Sequence, residues 1–173
     1  MSEELPVEEV LTALEDYQQR TISLYREHAG DPEGCVKALV RLHLDWTEED
    51  PERAKLVSRY RGPVMAGPGK DRLNSSNAAY FEESKRWLTE SVESGAMPPV
   101  SFNILHALVF APTQELAKLW LGGRLKKTPS EYAVPMGDAA WAGILAAGAA
   151  LDSGDPAAVP GAESAVSANG AES

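Results

Sequence analysis

Apolar residues along this chain recur at three- and four-residue intervals, and no stretch alternates apolar with polar between hairpin turns. That interval is the period of one helix face, whereas a half-buried strand repeats every second residue. An all-α fold is therefore expected. From about Pro6 to His28, Val7, Val10, Leu11, Leu14, Tyr17, Thr21, Leu24 and Tyr25 form one stripe. Pro6 suits a first turn, Glu8 and Glu9 favour the positive end of the helix dipole, and Gly30 supplies a stop.

Asp31-Pro32-Glu33 has the form of a second helix start, an N-cap followed by proline and an acid. Val36, Leu39, Val40, Leu42, His43, Leu44 and Trp46 then cover more than half of the circumference, which predicts a central helix with several neighbours. Thr47 to Pro51 is a break, and a short helix follows from about Pro51 to Arg61. Glycines and prolines between Gly62 and Asp71 predict a loop. A long helix is expected from about Leu73 to Ser94, closed by Gly95 and Pro98-Pro99. Ser101 to Leu121 is the most apolar stretch, and Pro112 within it predicts a kink or a division into two helices. After a polar loop over Arg124 to Glu131, a last helix of small residues runs from about Met136 to Ala150. The reading is a multi-helix orthogonal or bundle-like domain over residues 1–151. A disordered Ala/Gly/Ser/Pro tail is expected over 152–173.

Charge narrows the functions open to such a domain. The 173 residues carry a net charge of −10. Residues 1–20 hold six acids and one base, and residues 152–173 hold four acids and no base, which leaves 16 acids and 15 bases in the body. Duplex DNA is bound mainly by neutralising phosphates, and no dense basic face is present to do so. No run of about eighteen apolar residues marks a membrane span. Met1 to Val10 is acidic without a secretory apolar stretch, so a cytoplasmic location is expected. The single cysteine, Cys35, excludes an intrachain disulfide and is expected to be a small buried apolar residue.

Residues 99–147 carry a resemblance. An apolar helix is interrupted at Ala111-Pro112 and resumes from Gln114 to Arg124 through Leu116, Leu119, Trp120 and Gly122-Gly123. A short loop leads to the closing helix Met136 to Leu145, with Asp138, Trp141 and Ile144. This order resembles the C-terminal regulatory domain of the TetR (tetracycline-repressor) family, and Asp31 to Trp46 is similar to an early helix of those domains. The likeness covers roughly residues 5–150. Family members place a helix-turn-helix domain ahead of the regulatory one. Here the counterpart of the first regulatory helix follows almost directly on Met1, so DNA contact is expected only through a helix-turn-helix domain absent from this chain. The resemblance implies a homodimer joined through the last two long helices, and an apolar cavity among the others for a small hydrophobic effector.

The dimer also has support from the residues themselves. The segments 101–121 and 136–147 hold more apolar surface than one core face absorbs, and such patches mark interfaces. Phe102, Leu105, Val109, Leu116, Trp120, Trp141 and Leu145 are the expected contributors. Ligand cavities are mostly apolar with a few orienting polar groups. Trp46, Tyr60, Tyr80, Phe81, Trp87 and His106, with His43, are candidates to line one, although aromatics at helical spacing also build plain core. Catalytic and metal roles are not expected. His28, His43 and His106 are scattered, His43 and Asp45 point to different sides of a helix, and nothing local activates Cys35. No cofactor is expected. The alternative to a ligand-sensing homodimer is a stand-alone interaction protein that pairs with a complete regulator and modulates its DNA binding.

Overall fold

Aspartate side chains set the starts of two consecutive helices. Asp31 accepts a hydrogen bond from the Gly34 backbone N–H at 3.0 Å, and Asp50 accepts one from Arg53 at 2.9 Å. Each stands before a proline whose missing N–H does no harm in a first turn. In the computed structural model, which describes residues 4–152, these caps open α2 (Pro32–Glu49) and α3 (Pro51–Ala66). Helix α1 (Val7–Glu27) precedes them. Helices α4 (Lys70–Glu93) and α5 (Phe102–Leu121), a 3-10 turn at Pro129–Tyr132, and α6 (Ala133–Asp152) follow. Gly30 and Gly95, just past α1 and α4, have φ of 83° and 76°, the left-handed conformation that ends a helix and suits glycine. Among the described residues there is no strand, and the domain is all-α. The tail expected beyond residue 151 lies outside the described residues, except that Asp152 ends α6.

Two prolines lie inside helices, and the first departs from the expectation. Helix α3 does not stop at Arg61 but runs through Gly62-Pro63 to Ala66, and the loop shrinks to residues 67–69. Pro63 is exposed, while Val64 beside it is fully buried against Val10, Leu11 and Leu73, and Met65 packs on the same cluster. Burying such a side chain stabilises by about 1.5–3 kcal/mol, enough for the two together to offset the roughly 3 kcal/mol of an interior proline. At Pro112, of the two alternatives, the division does not occur, and α5 is one continuous helix. Leu105, Val109, Thr113 and Ala117 form a buried row on both sides of the exposed Pro112. Thr113 Oγ1 donates to the Val109 carbonyl at 2.6 Å.

Helix α2 is central, packing on α1, α3, α5, α6 and the 3-10 turn. Its Cys35, Val36, Leu39, Val40 and Leu44 join Trp87 of α4, Leu105 and Val109 of α5, and Ile144 of α6 in the main core. Lys37 reaches Asp138 at 2.9 Å and the Ser130 N–H donates to Glu48 at 3.0 Å, which sets α6 antiparallel to α2. Contacts of Arg72 with Glu8 and Glu15, of Gln18 with Asn77, and of Arg26 with Glu83 advance together along α1 and α4, so these two helices run in the same direction. Two smaller clusters close separately. One holds Val10, Leu11, Val64 and Leu73, and the other holds Ala13, Trp46 and Ala54. Tyr80 and Phe102 pack on the main core and Tyr17 on the Trp46 cluster.

Candidate functional site

The site begins with one charge on the wrong side of a helix. Ala54, Val57, Arg61 and Val64 fall at i, i+3, i+7 and i+10 and share one face of α3. Ala54 and Val64 are buried in the two small clusters, and Val57 packs on the first of these, so this face looks inward. Arg61 stands between them and is nevertheless exposed. Arg61 forms no ion pair or hydrogen bond among the described residues. Its charge is felt by Tyr17 of α1, Tyr80 of α4 and His106 of α5, side chains from three other helices.

The groups around it are neutral. Tyr17 Oη lies 3.1 Å from His43 Nδ1, with the two rings edge to face at 5.6 Å between centroids. Burial pushes the His43 imidazole down to about 4, so it is uncharged at neutral pH and Nδ1 can accept the Tyr17 proton. Burial holds the Tyr17 phenol far above its ordinary value; the neighbouring Tyr80 raises it further, and Arg61 draws it back. The Tyr80 phenol is also raised, mainly by burial. His106 keeps a water-accessible edge, but its ring lies 5.1 Å from Phe110 and 6.3 Å from Phe102. This desolvation, followed by the Arg61 charge, lowers its pKa. A polar pair adjoins, in which Gln18 Nε2 donates to Asn77 Oδ1 at 2.6 Å.

An aromatic wall completes the arrangement. Tyr80 meets Phe81 at 5.5 Å, and Phe81 meets Phe102 at 5.6 Å, both edge to face. Phe102 and His106 then continue the line along α5. Tyr80, Phe81 and Phe102 are each half-buried, so the wall keeps an accessible side. Aromatic surface with a few polar tips is the kind of lining that small-molecule sites use.

Of the side chains expected to line a pocket, Tyr80, Phe81 and His106 come together here. Trp87 belongs to the main core, connected to Tyr80 only through Tyr25. Trp46 is 5% exposed, with the Arg53 guanidinium 4.4 Å above its ring, and touches the site through Tyr17 at 5.5 Å. Tyr60 packs against the Val10–Leu73 cluster beneath Arg59, on a different face of α3 from its neighbour Arg61. Tyr17 and Arg61 had not been singled out. The stripe that identifies Arg61 is visible only when α3 continues to Val64, and reading Gly62-Pro63 as a stop had cut it. Among the described residues no group of three or more His, Cys, Asp or Glu side chains gathers as a metal site would require.

A second feature is the outer face of α5 and α6. Leu105 and Val109 were expected on a self-association surface, but each is 1% exposed inside the subunit. The inward row of α5 starts at Leu105, so its exposed apolar residues are Ile104, Ala107 and Ala111 on the other side of the helix. Phe102 joins the aromatic wall, Leu116, Trp120 and Trp141 are half-buried, and Leu145 is exposed. Gly143 lets α6 approach α5 closely, for a Cβ there would sit 3.2 Å from Leu108. The stretch Pro129–Ala150 is long and apolar enough to cross a bilayer by length and composition alone, although no such span was expected. Of its most apolar window only 28% is buried in the subunit. Alanines make it apolar without filling space, so the uncovered side is smooth and able to receive another helix.

A third feature is a cleft of about 320 Å³ on the outside of α1 and α4, lined by Arg26, Glu83, Arg86 and Glu90 above Tyr25 and Trp87. Its charges already satisfy one another, with Arg26 2.8 Å from Glu83 and Arg86 against the same carboxylate. The sequence matches no protein-family model and no curated protein.

Proposed function

We propose that this chain is a non-catalytic, cytoplasmic module that binds a small hydrophobic effector and pairs with a second copy, as the C-terminal domains of TetR-type transcription regulators do. The observation that carries the reading is the exposed Arg61 on the face of α3 that it shares with buried Ala54 and Val64, its charge reaching Tyr80 and His106 at the two ends of the aromatic line. The direct test is thermal denaturation of the full chain against a broad set of apolar and amphipathic small molecules. A ligand at 100 times its Kd stabilises by about 2.7 kcal/mol, which shifts the midpoint by several degrees. Failure of every compound to move it overturns the reading.

Pairing is supported by the largely uncovered α6 and by the exposure of Ile104, Val134 and Leu145. Sedimentation at micromolar concentration reads it out. A two-fold assembly is expected, and a clean monomer removes the homodimer. A monomer that binds only a complete TetR-type regulator would leave the alternative, an interaction protein acting on such a partner.

A further inference from the structure

We propose that the effector is an amphipathic monoanion, a carboxylate on an apolar body, with its charge at Arg61 and its body along Tyr80, Phe81, Phe102 and His106. This deepens the ligand-sensing reading and rests on it.

The argument starts from what surrounds the guanidinium. Arg61 shares the face of α3 that buries Ala54 and Val64 on either side of it, and its own side chain is exposed. Arginines that face another helix in this fold are answered by acids, as Arg72 is by Glu8 and Glu15, Arg26 by Glu83, and Arg20 by Glu49. Arg61 is not. The groups that sense it, Tyr17, Tyr80 and His106, are neutral at physiological pH and carry no carboxylate. His43 is uncharged for the same reason of burial. The site therefore has one uncompensated positive charge and no negative one. A carboxylate matches the planar guanidinium fork by paired hydrogen bonds. A cationic ligand would add like charge, and a neutral one would leave the guanidinium as it is. The half-exposed rings beyond Arg61 offer the apolar body a surface, and the line of three rings and an imidazole is extended rather than globular.

The test uses the full chain and three ten-carbon probes below their micelle concentrations: decanoate, decanol and decyltrimethylammonium. Binding is followed by calorimetry and by the thermal midpoint. Decanoate is expected to bind about tenfold or more tightly than decanol, the margin of a charge-assisted hydrogen-bond pair, with the cation weakest. In Arg61→Gln, decanoate should fall to the decanol level while decanol is unchanged. Arg61→Lys should keep part of the preference, and Arg41→Gln, an exposed cation on the other helix, should leave it intact. Circular dichroism and decanol binding check that each variant is folded. Equal binding of decanoate and decanol, or decanoate binding indifferent to Arg61→Gln, overturns the anion inference and leaves the ligand-sensing reading standing. Absence of binding by all three probes overturns the inference. The ligand-sensing reading itself falls only if the broad compound set fails as well.

Discussion

Acid should unfold this domain through His43 before the carboxylates are titrated. An unperturbed histidine has a pKa near 6.5, and burial lowers that of His43 to about 4 in the folded chain. Between those values the unfolded chain binds a proton that the native chain refuses, so stability falls as pH falls. The linkage gives a loss of about 2 kcal/mol by roughly pH 5 and about 3 kcal/mol by roughly pH 4, relative to neutral pH. Protonation also places a hydrogen on Nδ1, 3.1 Å from Tyr17 Oη, which ends its role as acceptor between α1 and α2. Urea unfolding followed by tryptophan fluorescence at half-unit pH steps measures this loss. His43→Gln supplies the control, because its amide oxygen still accepts from Tyr17 but does not titrate. The wild-type midpoint should drop steeply between about pH 6.5 and 4.5, and that of the variant should drop distinctly less, keeping only the part that comes from the lowered pKa of His106. Parallel curves for the two proteins would refute the assignment of a neutral, desolvated imidazole at this position.

Three further outcomes follow from the packing. Gly69→Ala should destabilise by about 1–2 kcal/mol in denaturant unfolding, because its Cβ would lie 2.4 Å from the buried Val64 Cγ1 and 3.2 Å from Leu11; an equal or higher midpoint would contradict that contact. Cys35 is fully buried and burial pushes its thiol up to about 12, so maleimide labelling at about pH 8 should proceed only at the rate of unfolding. Rapid labelling of the native protein would place the thiol at the surface. If α5 and α6 form the proposed self-association face, Leu145→Glu should shift sedimentation toward the monomer while leaving the thermal midpoint at low concentration unchanged. An Ala117→Glu change inside the subunit should instead unfold it.

What the sequence disclosed and what it hid follow from one distinction. Caps and apolar periods are local, and they placed α1, α2 and α4 to within a few residues, because Asp31-Pro32, Gly30 and Gly95 act on their own turns. Proline is read locally too, but its effect is decided by tertiary contacts. Pro63 reads as part of a loop and Pro112 as a kink or a division, and both lie inside continuous helices whose buried residues hold them. The loop reading at Pro63 cuts the α3 stripe and hides Arg61. The rotational setting of α5 was also beyond local reading. Nearly every residue from Phe102 to Phe110 is apolar, so periodicity cannot tell Ile104 from Leu105, and only the neighbours α2 and α6 decide which turns inward. Tyr80, Phe81 and His106 were legible as a set because they are aromatic and not needed to complete a stripe, whereas Trp46 and Trp87 have the same chemistry and serve the core.

Helix α5 is the element through which the two proposed activities would communicate. Phe102 and His106 face the aromatic wall, Leu105 and Val109 fill the main core one residue away, and Ile104, Ala107 and Ala111 look outward beside α6. Because interiors are close-packed, a helix so clamped does not deform locally but shifts as a rod. A body seated against Phe102 and His106 would press on α5, and the outward row would move with it. Helix α6 would follow, since a Cβ at Gly143 would sit only 3.2 Å from Leu108 and Ile144 is buried in the same core. The uncovered side of α6 would thus report occupancy at Arg61 without a separate relay, and a ligand would alter the pairing equilibrium only to the extent that it favours one setting of this rod over another.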